Sequence, residues 1–409
     1  MIRVIGLDIH RVFAEAVMLD GHKVIRLGRI GMTREHLDRF AQTLTHDDRV
    51  VVEATGNATA VSEVLAPHVG RMVIANPRQV RLIAEARIKT DVIDATVLAK
   101  LYAANFLPEV WVPDQRTLAL RRQVTRRRQI VRQRARLKTM IQSILHAHLV
   151  PPCPHVDLLG PKGKAWLLAQ SLPPDEQDAV ARHLREHDRL SDDLRVVERE
   201  LARDALASPD VKRLMTIPGI DMVVSVGILA AVGSVKRFNG PDNLVAYLGL
   251  NPSVHQSGED RPRHGRITKQ GPAHARSMLV EAAWQAVRSP GPLRAFYERV
   301  ARRRGNHIAA VAVARKLAVI IWHLLQKGED YAWVRPALHA RKIRDLELRS
   351  GQSAQRGQRG AAYAYNLAGT RREEKRRAEQ AETAYRRQTE GWTRRGRKVP
   401  TGAANEERH

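Results

Sequence analysis

The stretch whose reading decides the fold is "IRVIGLDIHRVFAEAVMLDGHKVIRLGRIG", residues 2–31. Its three apolar runs, "IRVIGLDIH", "VFAEAVML" and "KVIRLGRIG", are rich in β-branched residues and read as strands. Asp20-Gly21 between the second and third is a tight hairpin turn. Working outward, a helix capped by Thr33 ("TREHLDRFAQTL") is followed by a buried strand, "RVVVEATG". Another helix, a short strand "RMVIANP" and a helix from about Thr90 to Asn105 complete the region. Three antiparallel strands, then alternating helix and strand, predict an α/β domain of RNase H-like layout over residues 1–112.

The rest of the chain reads as helical, so the fold class is α/β plus all-α. Residues 115–148 and 174–206 carry apolar side chains at spacings of three, four or seven. They predict a helical hairpin or coiled-coil arm over 113–206, although Arg134 sits on its seam. A mainly helical domain follows over 207–330. Beyond 335 the periodicity fades, and "SGQSAQRGQRGAA" and "RREEKRRAEQ" look low in complexity, so 331–409 is expected to be a disordered tail or a solvated single helix.

The formal net charge of +26 points to a polyanionic partner. Residues 1–112 are nearly balanced, with 14 Lys/Arg against 13 Asp/Glu, so the excess lies downstream. From Arg116 to Lys138 there are 10 basic residues and no acidic one, which makes Arg126, Arg127 and Arg128 candidate nucleic-acid contacts. The alternative is a basic helix that pairs with the acidic second helix of the arm. One cysteine, Cys153, excludes a disulfide framework and a Cys-based zinc site. The amino terminus lacks a signal-peptide pattern, and no uncharged apolar run reaches about 18 residues. "HIAAVAVARKLAVIIWHLLQ" is interrupted by Arg315 and Lys316 and reads as a core helix. A cytoplasmic, nucleoid-associated protein with no membrane partner is the expectation.

Four carboxylates stand out. Asp8 lies in an apolar strand and Glu53 at the end of another, where an acid is costly unless paired or bound to metal. Asp91 and Asp94, three apart at a helix start, share a face. Acids in a first helical turn also offset the helix dipole, and Asp8 alone could be a strand-end residue. Taken together, the four fit a set of hard oxygen ligands for two Mg²⁺ ions about 4 Å apart, with Mn²⁺ as a substitute.

Two further motifs lie downstream. "LMTIPGIDMVVSVG" places Pro218-Gly219 between helical patterns, either as a phosphate-contacting helix-hairpin-helix or as a tight interhelical turn; Asp221 stands where the former would have its second glycine. In "HQSGEDRPRHGRITK" the lone Ser257 precedes Gly258, and Arg261, Arg263, His264, Arg266 and Lys269 crowd behind it. An isolated loop serine means little. In a basic surround that can hold a phosphodiester, it is a candidate nucleophile.

Asp8 in "IGLDIH", Glu53 in "VEATG", Asp91 and Asp94 in "KTDVIDA", and "YLGLNPSVHQSGEDRPRHGRITKQGPAHARSMLVEAAW" resemble the DEDD-type insertion-sequence transposases over roughly residues 1–328. That family pairs a RuvC-like domain with a serine-bearing transposase domain, and some members are guided by a bridge RNA. The resemblance implies that the four carboxylates bind Mg²⁺ and that Ser257 forms a covalent phosphoserine with DNA. It also implies a homo-oligomer in which the acidic site of one protomer meets the serine of another. Many relatives have Ser-Ser-Gly where this chain has Gln256-Ser257-Gly258, and the tail after 335 exceeds the usual length. The rival readings are a RuvC-like structure-specific nuclease, which needs no Ser257, and a non-catalytic nucleic-acid-binding protein.

Overall fold

The structure, a computed structural model, describes residues 3–84, 90–257, 262–353 and 360–390. It divides into two compact units, 1–114 and 115–409.

The first unit is built on β1 (Arg3–Ile9), β2 (Phe13–Asp20), β3 (Lys23–Gly31), β4 (Asp48–Glu53) and β5 (Arg71–Ala75). Its helices are α1 (Arg34–Ala41), α2 (Ala58–Leu65), α3 (Pro77–Ile83) and α4 (Asp91–Ala103). The strands form one sheet in the order β3-β2-β1-β4-β5, with β1–β2–β3 antiparallel and β1–β4–β5 parallel. Both faces are covered. Ile5, Leu7 and Ile9 of β1 pack with Val50, Val52, Leu37 and Val61 in one layer. Val4 joins Val51, Val73, Leu98 and Ala99 in the other, which α4 covers. Gly6 makes that covering possible: a Cβ there would overlap the Ala95 carbonyl, so only glycine lets α4 lie directly on β1.

The second unit contains α5 (Gln115–Ala147), α6 (Pro161–Leu168), α7 (Pro174–Ala207), α8 (Pro209–Leu214), α9 (Met222–Val232) and α10 (Pro241–Tyr247). A short ribbon follows, β6 (Pro252–His255) against β7 (Arg263–Ile267). Then come α11 (Ala273–Ala286), α12 (Pro292–Arg304), α13 (Asn306–Lys327), α14 (Pro336–Ser350) and α15 (Ala368–Glu390). The long helices α5 and α7 pack together through Ile130, Leu137, Leu190 and Leu194. The seam is not wholly apolar. His187 is buried on it, and burial, reinforced by the charge of Arg134, pushes its pKa below the ordinary imidazole value. By length and composition alone α13 could cross a membrane. Here its Val313, Leu317, Ile321 and Leu324 are buried in the main core with α9, α10 and α11.

The Pro218-Gly219 segment is an interhelical turn facing the core. Ile217 and Ile220 are fully buried, and Gly219 (φ +83°) lies against the backbone of Ala282 and Ala286 in α11. Asp221 is the N-cap of α9, its Oδ1 accepting from Val224 N at 2.9 Å, which explains an acid at that position.

The tail departs from expectation. Residues 336–350 and 368–390 are helices packed on the unit: α14 lies against α7, and α15 against α12. Leu346 of α14 is buried among Leu201, Ala202 and Met215, and buried polar contacts hold the rest. Buried Glu382 accepts from Gly291 N and Arg294 Nε, both at 2.9 Å, and buried Glu374 accepts from Ala337 N at 2.6 Å. The Lys342 ammonium donates to the carbonyls of Met215, Ile217 and Ile220 at 2.8–2.9 Å, closing the turn before α9. The expectation of a disordered or solvated tail is therefore wrong for these two segments. Residues 391–409 lie outside the described ones.

Candidate metal centre and serine hairpin

In the first unit the sheet delivers the acids. Leu7 pairs with Val52 in the parallel register, so Asp8 and Glu53 follow at the carboxyl ends of adjacent strands. Side chains alternate along a strand, so both acids share the face of Val4 and Val51, the face covered by α4. Thr90 caps α4, its hydroxyl accepting from Ile93 N at 3.3 Å, and puts Asp91 and Asp94 in the first turn. Because α4 crosses β1 at Gly6–Ala95, that first turn comes down beside Asp8.

Asp8 and Asp91 are brought together by a residue that sequence reasoning passed over. His10 Nε2 lies 3.2 Å from Asp8 Oδ2 and 3.3 Å from Asp91 Oδ1. One ligand atom from each of the three lies within 4.8 Å of the others, a cluster compatible with a divalent cation. The Asp8 side chain is only 14% exposed. Burial raises its pKa above the ordinary carboxylate value; the charges of Asp94 and Asp91 add to the rise, and His10 opposes it. Asp94 is thus near enough to act on Asp8. Glu53 is half-buried at its strand end. The loop after it is tied to β1: Asn57 Nδ2 donates to the His10 carbonyl at 3.2 Å, and Thr55 Oγ1 donates to Asn57 Oδ1 at 2.9 Å.

Further charge surrounds the cluster. Glu15, cross-strand from Asp8 and fully buried, takes Arg26 and Arg29 as partners, and the Arg26 hydrogen bond holds its pKa low. Arg29 also reaches to 4.0 Å from Asp91 Oδ2 and lies 4.3 Å over the Phe13 ring. In the sequence, the signal for His10 was its place two residues after Asp8, just past the end of β1.

In the second unit Ser257 follows the β6–β7 ribbon's first strand by two residues and is exposed. Val254 pairs with His264 and His255 with Arg263. Arg263, His264, Arg266 and Lys269 are all exposed on the second strand and just after it. Arg261 and Gly258 lie outside the described residues. The root of the ribbon is fixed by Thr268 N donating to Asn251 O at 2.8 Å and Lys269 N to Gly249 O at 3.1 Å.

The basic helix α5 divides its cations between roles. Arg127 is committed to Glu198 of α7, with Nη2 2.7 Å from Oε1, and Arg121 donates to the Ala230 and Ala231 carbonyls. Arg126 is exposed and Arg128 half-buried. The charges of Arg128, Arg127 and Arg132 reach His274 at the start of α11, whose pKa burial depresses first and those cations depress further.

Two family descriptions cover the segments that hold these residues. Residues 5–149 match a DEDD transposase family of the IS110 type, and residues 211–298 match "Transposase IS116/IS110/IS902 family". The chain belongs to the IS110 family of DEDD-type transposases. Among relatives, y4qE of Sinorhizobium fredii is 27% identical over 272 residues, covering 60% of this chain and 66% of that protein. The transposase for insertion sequence element IS1111A of Coxiella burnetii is 33% identical over 138 residues, 33% of this chain and 38% of its own length. The transposase for insertion sequence element IS1328 of Yersinia enterocolitica is 23% identical over 296 residues, 69% of this chain and 85% of its own length. The match thus spans just under two thirds of the first relative and about two fifths of the second. This family member carries its acids in the first matched segment and Ser257 in the second.

Proposed function

We propose that this transposase cuts and rejoins DNA at the ends of its insertion sequence, using Asp8, Glu53, Asp91 and Asp94 with Mg²⁺ and Ser257 as nucleophile. The observation that carries the reading is the convergence of Asp8 and Asp91, from a strand end and a helix start, on one point where Asp8 is already held above its ordinary pKa. Acids so crowded are stabilised by a cation, and carboxylate oxygens are the hard donors that Mg²⁺ or Mn²⁺ takes. When bound, such ions supply positive charge to the oxygens that gain negative charge during phosphoryl transfer.

The protein's own groups do the rest. Ser257 Oγ bonds to phosphorus as the bond from phosphorus to the departing strand oxygen breaks, and the serine proton passes to base. The resulting phosphoserine ester keeps the energy of the phosphodiester. A hydroxyl of a second strand can therefore attack it and release the serine without ATP. Arg261, Arg263, His264, Arg266 and Lys269 offer N–H donors to the phosphate oxygens. The mixed sheet order β3-β2-β1-β4-β5 supports an RNase H-like, RuvC-like reading of residues 1–112, with 113–206 as the arm and 207–330 as the serine domain. Basic α5 with Arg126, Arg127 and Arg128 suits DNA or a structured guide RNA. A homo-oligomer at the nucleoid belongs to the same proposal.

The test is mass spectrometry of a denatured, nuclease-trimmed reaction, run with Mg²⁺ and with EDTA. Nucleotide mass on the Ser257 peptide, present with Mg²⁺ and absent with EDTA or with Ser257→Ala, is expected. Metal-dependent cutting that survives Ser257→Ala would replace the phosphoserine mechanism with cleavage by the metal site alone.

A further inference from the structure

We infer that His10 is itself a metal ligand, adding an imidazole nitrogen to the carboxylate cluster and shifting its preference from Mg²⁺ toward Mn²⁺. The inference rests on the reading of Asp8 and Asp91 as metal ligands.

The position follows from the strand. His10 stands just past the end of β1 at Ile9, and its ring lies on the Asp8 side of the sheet, with Nε2 3.2 Å from Asp8 Oδ2. The backbone there is held on both sides: His10 N donates to Phe13 O at 2.9 Å, and His10 O accepts from Asn57 Nδ2 at 3.2 Å. The ring lies on Phe13, with centroids 4.9 Å apart. These contacts aim Nε2 into the cluster without using Nε2 itself.

The distances then choose between two roles. Nε2 is 3.2 Å from one carboxylate and 3.3 Å from the other. A neutral or charged imidazole has at most one proton on that nitrogen, so it cannot make two good hydrogen bonds from it. The two separations stand at and just beyond the long end of the 2.7–3.2 Å range of an N–H···O bond. Neighbouring ligands on an octahedral ion with bonds of roughly 2.1 Å stand about 3.0 Å apart. The two distances from Nε2 are therefore close to the spacing of neighbouring ligands around one shared cation, and the third pair lies within 4.8 Å, with the Nε2 lone pair as donor. The ring is 43% exposed, so it can turn by the few tenths of an ångström needed without disturbing the core.

A nitrogen donor has a chemical consequence. Carboxylate sites accept Mg²⁺ and Mn²⁺ alike, whereas imidazole favours first-row transition ions over Mg²⁺. With His10 in the shell the ratio of the Mg²⁺ to the Mn²⁺ dissociation constant should be about tenfold larger than in His10→Asn. The arginine behind the cluster, Arg29, contacts Asp91 from another side and is not needed for this effect.

The experiment uses the full chain and three proteins: wild type, His10→Asn and Asp8→Asn. Mn²⁺ is titrated into each, and the bound ion is read by electron spin-echo envelope modulation, which detects a directly coordinated imidazole nitrogen. The expected result is imidazole modulation in wild type, its loss in His10→Asn with Mn²⁺ still bound, and loss of Mn²⁺ binding in Asp8→Asn. Mn²⁺ bound in an Asp8-dependent way, with no imidazole modulation in wild type, overturns the role of His10 and leaves the carboxylate site standing. Mn²⁺ binding indifferent to Asp8→Asn overturns the carboxylate site and the inference with it. Circular dichroism of the two variants, expected to match wild type, keeps misfolding from imitating either result.

Discussion

Asp8 follows buried Leu7 and precedes buried Ile9, whereas Ser257 stands on a ribbon whose β7 residues from Arg263 to Arg266 are all exposed. The first setting fixes an acid in place and raises its pKa, because the sheet and α4 leave it little water. The second leaves a hydroxyl and its basic neighbours open to a large polyanion. A metal ligand gains from being immobilised. A group that must meet a DNA strand gains from standing clear of the core. The two kinds of chemistry are built on opposite kinds of support, and substitutions should separate them.

The largest effects are expected at the two centres, with different side effects. Asp8→Asn and Ser257→Ala should each lower strand exchange by at least about 10³-fold. Asp8→Asn should leave the thermal midpoint unchanged or raise it, since it removes a carboxylate held at a cost, while Ser257→Ala should leave it unmoved. The raised Asp8 pKa gives that group a stabilising contribution at low pH that is lost as pH rises through its native value, so any gain in midpoint belongs to neutral pH. Calorimetry at pH 7 showing a large fall for Asp8→Asn would contradict the contrast between the two settings.

The next effect tests support rather than chemistry. Lys342→Met removes the donor that three buried carbonyls share, of which only that of Ile217 keeps a backbone donor, Ile220 N, and should cost about 2–4 kcal/mol in urea unfolding at pH 7. Burial depresses the Lys342 pKa from 10.5 to about 8. Between those values the unfolded chain keeps a proton that the native chain has lost, so wild-type stability from this group rises with pH. The gap between wild type and Lys342→Met should therefore widen from pH 8 to about 10.5. Tyr331, whose pKa burial raises to about 12, is common to both proteins and cancels in the difference. A gap that narrows over that interval would count against it.

A smaller effect belongs to α5. Changing Arg126 and Arg128 to Glu should weaken nucleic-acid binding and lower the salt slope by roughly 0.7–0.9 for each phosphate the helix no longer neutralises. Arg127→Glu should instead cost stability, because it faces Glu198. An unchanged slope in the double variant would mark the helix face as merely solvated. Smallest of all, Ser253→Ala should change stability by no more than about 0.5 kcal/mol and leave adduct formation intact, making it the control for Ser257.

Much of the first unit could be read from its residues, because its strands are β-branched and its acids stand out against apolar neighbours. Asp20-Gly21 and Thr33 announced their turn and cap for the same local reasons. The β6–β7 ribbon was less visible: Pro252, Gly265 and a run of basic residues give no alternation of apolar and polar. The tail helices escape a search for apolar stripes, because α15 buries Glu374, Glu382 and Thr389 alongside Ala381. Those acids are buried only because Arg294 and the amides of Gly291 and Ala337 meet them, and such partners are about 40–90 residues away. His10 was missed because a histidine two places from an aspartate is common, and only α4 brings Asp91 to its ring.

The hold of Lys342 on the turn at 215–220 also sets a timetable for synthesis. The turn's carbonyls leave the ribosome 122 to 127 residues before the ammonium that will bind them. At about 5–20 residues per second that is a wait of roughly 6–25 s, during which water must stand in for the ammonium. The first unit has every one of its strands and helices by Asp114 and can close early. The second must keep its central turn unfinished until residue 342 has emerged, so a nascent chain stopped before it should have a folded sheet and an open helical unit.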